Sequence, residues 1–137
     1  ESLLRMETSW TVLSFNRPED AMAAVLERTV DAVVADFLMP RTDGLEFLRR
    51  VKERDPLASR ILLTGYADKQ NAIRSINEVG LYQYVEKPWD NDAMLLLVRN
   101  AVERTRILRR VEELVRTLAE RDRSLESLRS SLLKAFV

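Results

Sequence analysis

Three polar residues each close a short apolar run. Asp36 follows Ala32-Val-Val-Ala35, Thr64 follows Ile61-Leu-Leu63, and Lys87 stands just beyond Tyr84-Val85. Short apolar runs of this kind read as strands buried on both faces, hence parallel ones. In an open α/β sheet the carboxyl ends of parallel strands lie along one edge, and ligands bind in the crevice beyond them. A carboxylate, a hydroxyl and an ammonium gathered there suit a phosphoryl group. The carboxylate attacks phosphorus. The ammonium and hydroxyl hold phosphoryl oxygens, which carry roughly two negative charges near neutral pH. Taken singly, each residue has a plainer role: a loop-capping Asp, a loop Thr, a surface Lys. Their shared placement at successive strand ends argues for one site.

The composition removes competing chemistries. There is no Cys, so there is no disulfide framework, thiolate zinc site or cysteine nucleophile. There is no His, which excludes Ser-His-Asp catalysis, histidine metal ligands and a phosphohistidine. Gly44, Gly65 and Gly80 cannot build a GxGxxG or Walker loop. Lys plus Arg equals Asp plus Glu, 22 each, so charge gives no signal for direct contact with nucleic acid. With 46% hydrophobic and 32% charged residues the chain is expected to be folded and soluble. Its uninterrupted apolar runs, such as Ala93 to Val98, are far short of a membrane span. No signal peptide is apparent, and a cytoplasmic setting is expected.

The elements that must position these residues alternate. Glu1 to Glu7 resembles a short piece of helix. Trp10 to Phe15 alternates and predicts a strand. Asn16 with Glu19 can cap a helix whose buried stripe is Met22, Val25 and Leu26. The Asp31–Asp36 strand follows, then Asp43-Gly44 turns into a helix to about Arg54 carrying Leu45, Phe47, Leu48 and Val51. Arg60–Thr64 is the next strand, and Asp68 can cap a helix over Ala72, Ile73, Ile76 and Val79, ended by Gly80. Leu81–Val85 is the last strand. Asp90 can cap the last helix, with Trp89 and Met94 as a hydrophobic staple. Strict alternation predicts a parallel sheet wrapped by helices.

No Pro or Gly follows Pro88, so residues 91–137 can form one helix roughly 70 Å long. Its first part is expected to pack on the sheet through Leu95, Leu96, Val98 and Val102. Beyond, Ile107, Val111, Leu114, Leu118, Arg121, Leu125, Leu128, Leu132 and Ala135 are spaced 4-3-4-3, a heptad seam interrupted only by Arg121. A lone helix this polar elsewhere does not stay folded by itself. A parallel homodimer is the simplest partner; an antiparallel pair or a helix folded back on its own domain is the alternative. The mixed charges on its flanks read as a solvated face. The division expected is therefore a domain over 1–104 and a coiled-coil helix over 105–137.

The motifs Val34-Ala-Asp36-Phe-Leu-Met-Pro40, Asp43-Gly44, Ile61-Leu-Leu-Thr64-Gly and Tyr84-Val-Glu-Lys87-Pro88 resemble the receiver domain of two-component response regulators, from about Thr11 to Arg104. The resemblance implies a flavodoxin-like doubly wound parallel sheet. It implies Asp36 as phosphoacceptor, Thr64 as switch hydroxyl, Tyr84 as switch aromatic, and Lys87 as a phosphate-binding lysine before a cis proline. It implies Mg²⁺ held by the Asp36 carboxylate and the Leu38 carbonyl, a sensor histidine kinase or phosphotransfer protein as donor, and no independent enzymatic activity. The string from Thr64 to Trp89 resembles a branch that often precedes HD-type phosphodiesterases or AAA+ activators, with the output domain beyond Val137. Receivers open with an apolar strand ending in an acidic pair that completes the Mg²⁺ ligation. That strand is not in this sequence. A phosphorylation-independent dimerisation and docking module therefore stands as the alternative. A haloacid-dehalogenase-like phosphohydrolase needs a second Asp where Leu38 stands.

Overall fold

The computed structural model describes residues 2–5, 9–39, 42–65, 68–70, 73 and 76–135, without the side chains of Ser2, Asn77 and Glu78. The elements are α1 (Ser2–Arg5), α2 (Pro18–Glu27), β1 (Ala32–Asp36), β2 (Leu38–Met39), β3 (Thr42–Asp43), α3 (Gly44–Arg54), β4 (Ser59–Thr64), a π-helical turn (Ile76–Gly80), β5 (Gln83–Glu86) and α4 (Asn91–Ala135). Two compact units divide the chain, Glu1–Thr105 and Arg106–Val137.

In the first unit β1, β4 and β5 form a parallel sheet in the order β1-β4-β5. Side chains alternate across it, as strand geometry requires. Val33, Ala35, Leu62 and Tyr84 face one core with Val25 of α2 and Phe47, Leu48 and Val51 of α3. Ala32, Val34, Ile61, Leu63 and Val85 face the other, with Met94, Val98, Ala101 and Val102 of α4. Helices on both faces of a parallel sheet make the wrapped arrangement that the alternation predicts and the flavodoxin-like fold that the resemblance implies.

Several local expectations shift. Trp10–Phe15 is not a strand, and Leu13 and Phe15 are exposed. Alternation alone does not make a strand; its backbone needs a neighbour, and the sheet of described strands ends at β1. Arg17, not Asn16, occupies the cap position of α2, with no side-chain capping bond to the helix amides, and Pro18 opens the helix. Leu26 is exposed while Ala21 and Met22 pack inward. α4 meets the sheet through Val98 and Val102 as predicted, with Leu95 half-buried, but Leu96 is exposed, and Met94, Ala101 and Thr105 complete the buried face. Small Ala101 and polar Thr105 let the helix approach Ser59 closely. Asp90 does cap α4, its carboxylate accepting from the Ala93 amide at 3.3 Å. The helix predicted from Asp68 falls partly on residues 71–72 and 74–75, outside those described.

A buried polar knot ties α4 to the amino ends of β1 and β4. The Ser59 hydroxyl donates to the Ala101 carbonyl at 2.9 Å, and Thr105 Oγ1 lies 2.7 Å from it. The Ser59 amide donates to Thr105 Oγ1 at 3.1 Å, and Thr105 Oγ1 is 2.6 Å from the Asp31 carbonyl. Next to it the buried Arg60 guanidinium donates to the carbonyls of Ala58 and Gly80 at 3.0 and 2.9 Å. Burial lowers the Arg60 pKa from its usual range; Arg104 pushes the same way and Asp55 opposes.

The second unit is the remainder of α4. Ile107, Val111, Leu114, Leu118, Leu125, Leu128 and Leu132 are each more than half exposed there. Among the described residues no helix is long and apolar enough to cross a membrane.

Candidate functional site

Register brings the strand-end residues together. Asp36 lies opposite Leu63, and Thr64 opposite Glu86. Past the strand ends the Phe37 amide donates to the Leu63 carbonyl and the Lys87 amide to the Thr64 carbonyl, both at 2.8 Å. The ladder thus continues one residue beyond each strand and carries Asp36, Thr64 and Lys87 to one edge.

There the Lys87 ammonium donates to Asp36 Oδ2 at 2.5 Å. Both side chains are partly open to solvent, 40% each. The other carboxylate oxygen, Oδ1, accepts from the Leu38 amide at 3.2 Å. Thr64 is fully buried, and its hydroxyl has no hydrogen-bond partner among the described residues. A buried hydroxyl without a partner is costly. Tyr84 is half-buried, in register with Leu62, and packs into the core beneath α2 and α3. The Lys87-Pro88 peptide is cis.

The turn after β1 is built around Gly44. Its amide donates to the Phe37 carbonyl at 2.8 Å. A Cβ at this position would stand 2.2 Å from the Asp36 carbonyl oxygen and 2.9 Å from its carbon. Only glycine permits that approach. Asp43 caps α3, accepting from the Glu46 amide at 2.7 Å. β2 and β3 pair antiparallel across the turn, Leu38 with Asp43 and Met39 with Thr42. The sequence marks Asp43-Gly44 as a turn; that Gly44 shapes the backbone of Asp36 appears only when the two are packed together. The Ser59–Thr105 knot was not legible either, since neither residue belongs to a motif.

The Mg²⁺ ligands expected from the sequence are the Asp36 carboxylate and the Leu38 carbonyl. Mg²⁺ takes near-octahedral oxygen coordination, generally from one or two carboxylates plus water. Here one carboxylate oxygen is bonded to an ammonium and the other to an amide. Among the described residues no group of three or more acidic side chains could hold an ion. These residues do not by themselves fit Mg²⁺.

Comparison with known proteins matches this architecture. The family model of the response regulator receiver domain covers residues 1–99. The hydrogenase transcriptional regulatory protein HoxA of Cupriavidus necator is 39% identical over 98 residues, 72% of this chain and 20% of that protein. The DNA-binding transcriptional regulator NtrC of Salmonella typhimurium is 32% identical over 92 residues, 67% of this chain and 19% of that protein. The chain thus spans about a fifth of the length of these relatives. The solved signal receiver domain of an HD domain-containing protein from Pseudomonas fluorescens Pf-5 superposes with a TM-score of 0.73 at 33% identity, covering 80% of this chain and 79% of that one. A family match over most of the chain and a parallel sheet that gathers Asp36, Thr64 and Lys87 at one edge lead to one conclusion: the chain belongs to the response regulator receiver domain family.

Proposed function

We propose that this receiver accepts a phosphoryl group on Asp36 from a sensor histidine kinase or phosphotransfer protein in the cytoplasm. We propose further that it passes the signal through a dimeric C-terminal helix to an output domain. The Asp36–Lys87 pair at the sheet edge carries this reading. An Asp36 carboxylate oxygen attacks the phosphorus of a donor phosphohistidine. The new O–P bond forms as the N–P bond breaks, and the electron pair leaves with the imidazole, which takes up a proton. Lys87, already on the carboxylate, moves to a phosphoryl oxygen as the new charge develops. Thr64 then has an acceptor for its unpaired hydroxyl. Movement of Thr64 lets Tyr84 turn, and the surface formed by Ile76–Gly80 and the start of α4 changes.

Receiver domains commonly bind Mg²⁺ beside the acceptor, and the described residues lack a full donor set. The test is labelling by radioactive acetyl phosphate with and without Mg²⁺, in this chain and in one extended before Glu1. Labelling should disappear in Asp36→Asn, and any dependence on Mg²⁺ should be confined to the extended chain. Undiminished labelling of Asp36→Asn would refute the assignment.

A second reading, a docking and dimerisation module without phosphoryl chemistry, draws on the engagement of both Asp36 oxygens by donors of the chain itself. It predicts no labelling in either chain, with association unaltered by Asp36→Asn.

A further inference from the structure

In the second unit the apolar seam of α4 is exposed, and one charged residue interrupts it at its middle. With Val111, Leu118, Leu125 and Leu132 at the a positions, the d positions are Ile107, Leu114, Arg121, Leu128 and Ala135. Arg121 is exposed and Asp122, at the adjoining e position, is exposed beside it. Arg121 has no ion pair within the chain among the described residues, whereas Arg116 is held by Glu112 one turn earlier at 3.0 Å.

We propose that Arg121 and Asp122 together set the orientation and register of α4 against a second copy of this chain, making the pair parallel and in register. The inference rests on the dimeric reading given above. In a parallel, unshifted pair the d layers face one another, and each d residue lies beside the e residue of the opposite helix. Arg121 then meets Asp122 of the second copy on both sides of the layer, and two cations face each other only with two carboxylates alongside. A slip of one heptad places Arg121 against Leu114 or Leu128. An antiparallel pair packs d against a, so Arg121 meets a leucine or valine in every register. Both alternatives bury an unpaired guanidinium against apolar side chains, which is strongly unfavourable. A single polar residue in an otherwise apolar seam is a known means of fixing register at some expense of stability. The flanking positions agree. The parallel g-to-e pairings are Arg110 with Val115, Thr117 with Asp122, and Ser124 with Arg129, and none joins like charges.

The absence of native cysteine allows a direct test. The full chain carrying Leu128→Cys is oxidised in a glutathione buffer, alone and combined with Arg121→Leu, and its mass followed by sedimentation equilibrium. The parallel register brings the two introduced thiols together, so the single variant should form a disulfide-linked dimer nearly completely. Arg121→Leu should tighten association by roughly tenfold or more, since one more apolar layer is buried. It should also lower the disulfide yield as slipped and antiparallel pairs become populated. A tighter dimer with undiminished disulfide yield and unchanged mass would overturn the role of Arg121 while leaving the dimer intact. A parent chain that stays monomeric at about 100 μM would instead overturn the dimeric reading itself, a chain binding in that range being held by only about 5–6 kcal/mol.

Discussion

Asp36 sits between an ammonium and an amide, and this has measurable consequences for its neighbours. Removing the cation in Lys87→Ala takes away the group that meets developing phosphoryl charge. Labelling from acetyl phosphate should slow by roughly 10²-fold or more, the loss typical of one oxyanion donor, with the fold unaltered by circular dichroism. Thr64 offers the opposite test. Its hydroxyl is fully buried with no partner among the described residues. Thr64→Val keeps the shape and removes the orphan, so the unphosphorylated protein should be unchanged or more stable by up to about 1 kcal/mol. Urea unfolding measures this, and a large destabilisation would mean that Oγ1 already has a partner. Gly44→Ala places a methyl against the Asp36 carbonyl at 2.2 Å. Backbone must move, and a loss of about 1–3 kcal/mol is expected with impaired labelling, read from the same urea midpoint and label assay.

Among the elements, α4 is placed by polar contacts as much as by its apolar face. Thr105 Oγ1 meets the Ser59 amide, the Ser59 hydroxyl and the Asp31 carbonyl at once. Thr105→Val removes these contacts, while the Ser59 amide keeps the Asp31 carbonyl at 3.0 Å and the Ser59 hydroxyl keeps the Ala101 carbonyl at 2.9 Å. A cost of about 0.5–1.5 kcal/mol follows from the net hydrogen bonding lost, visible as a lower urea midpoint at unchanged slope. Because the knot lies at the amino ends of the strands and Asp36 at the carboxyl end of β1, Thr105→Val should leave labelling of Asp36 intact. The predicted face held at Val98 and Val102 and missed at Leu96 for this reason. Hydrophobicity ranks leucine above Ala101 and Thr105, but close approach and hydrogen bonding to Ser59 select the face that carries the small and polar residues. Trp10–Phe15 failed differently. Its alternation is compatible with a strand, yet strand formation is decided by a neighbour.

At the scale of the molecule, the second unit has no core of its own. An isolated helix is marginal in water, so its order should depend on association. Far-UV ellipticity is expected to fall on dilution below the dimer dissociation constant, and Leu118→Asp with Leu125→Asp should produce the reduced signal at every concentration. Labelling at Asp36 should survive in that double variant, because none of the described site residues lies in the second unit. Ellipticity independent of concentration would contradict a helix that is ordered by pairing.

Periodicity and strand-end chemistry were local properties, and the sequence by itself determined what depends on them. The alternation of elements, the parallel sheet, the heptad seam, the cap at Asp90 and the candidate trio Asp36, Thr64 and Lys87 all follow from residue order, because strand period, helix period and capping act over a few residues. Tertiary structure alone decided what depends on distant segments meeting. Sheet register put Lys87 on Asp36 across 51 positions, close packing demanded glycine at 44, and a buried hydroxyl pair from β4 and α4 fixed the face that the last helix turns to the sheet.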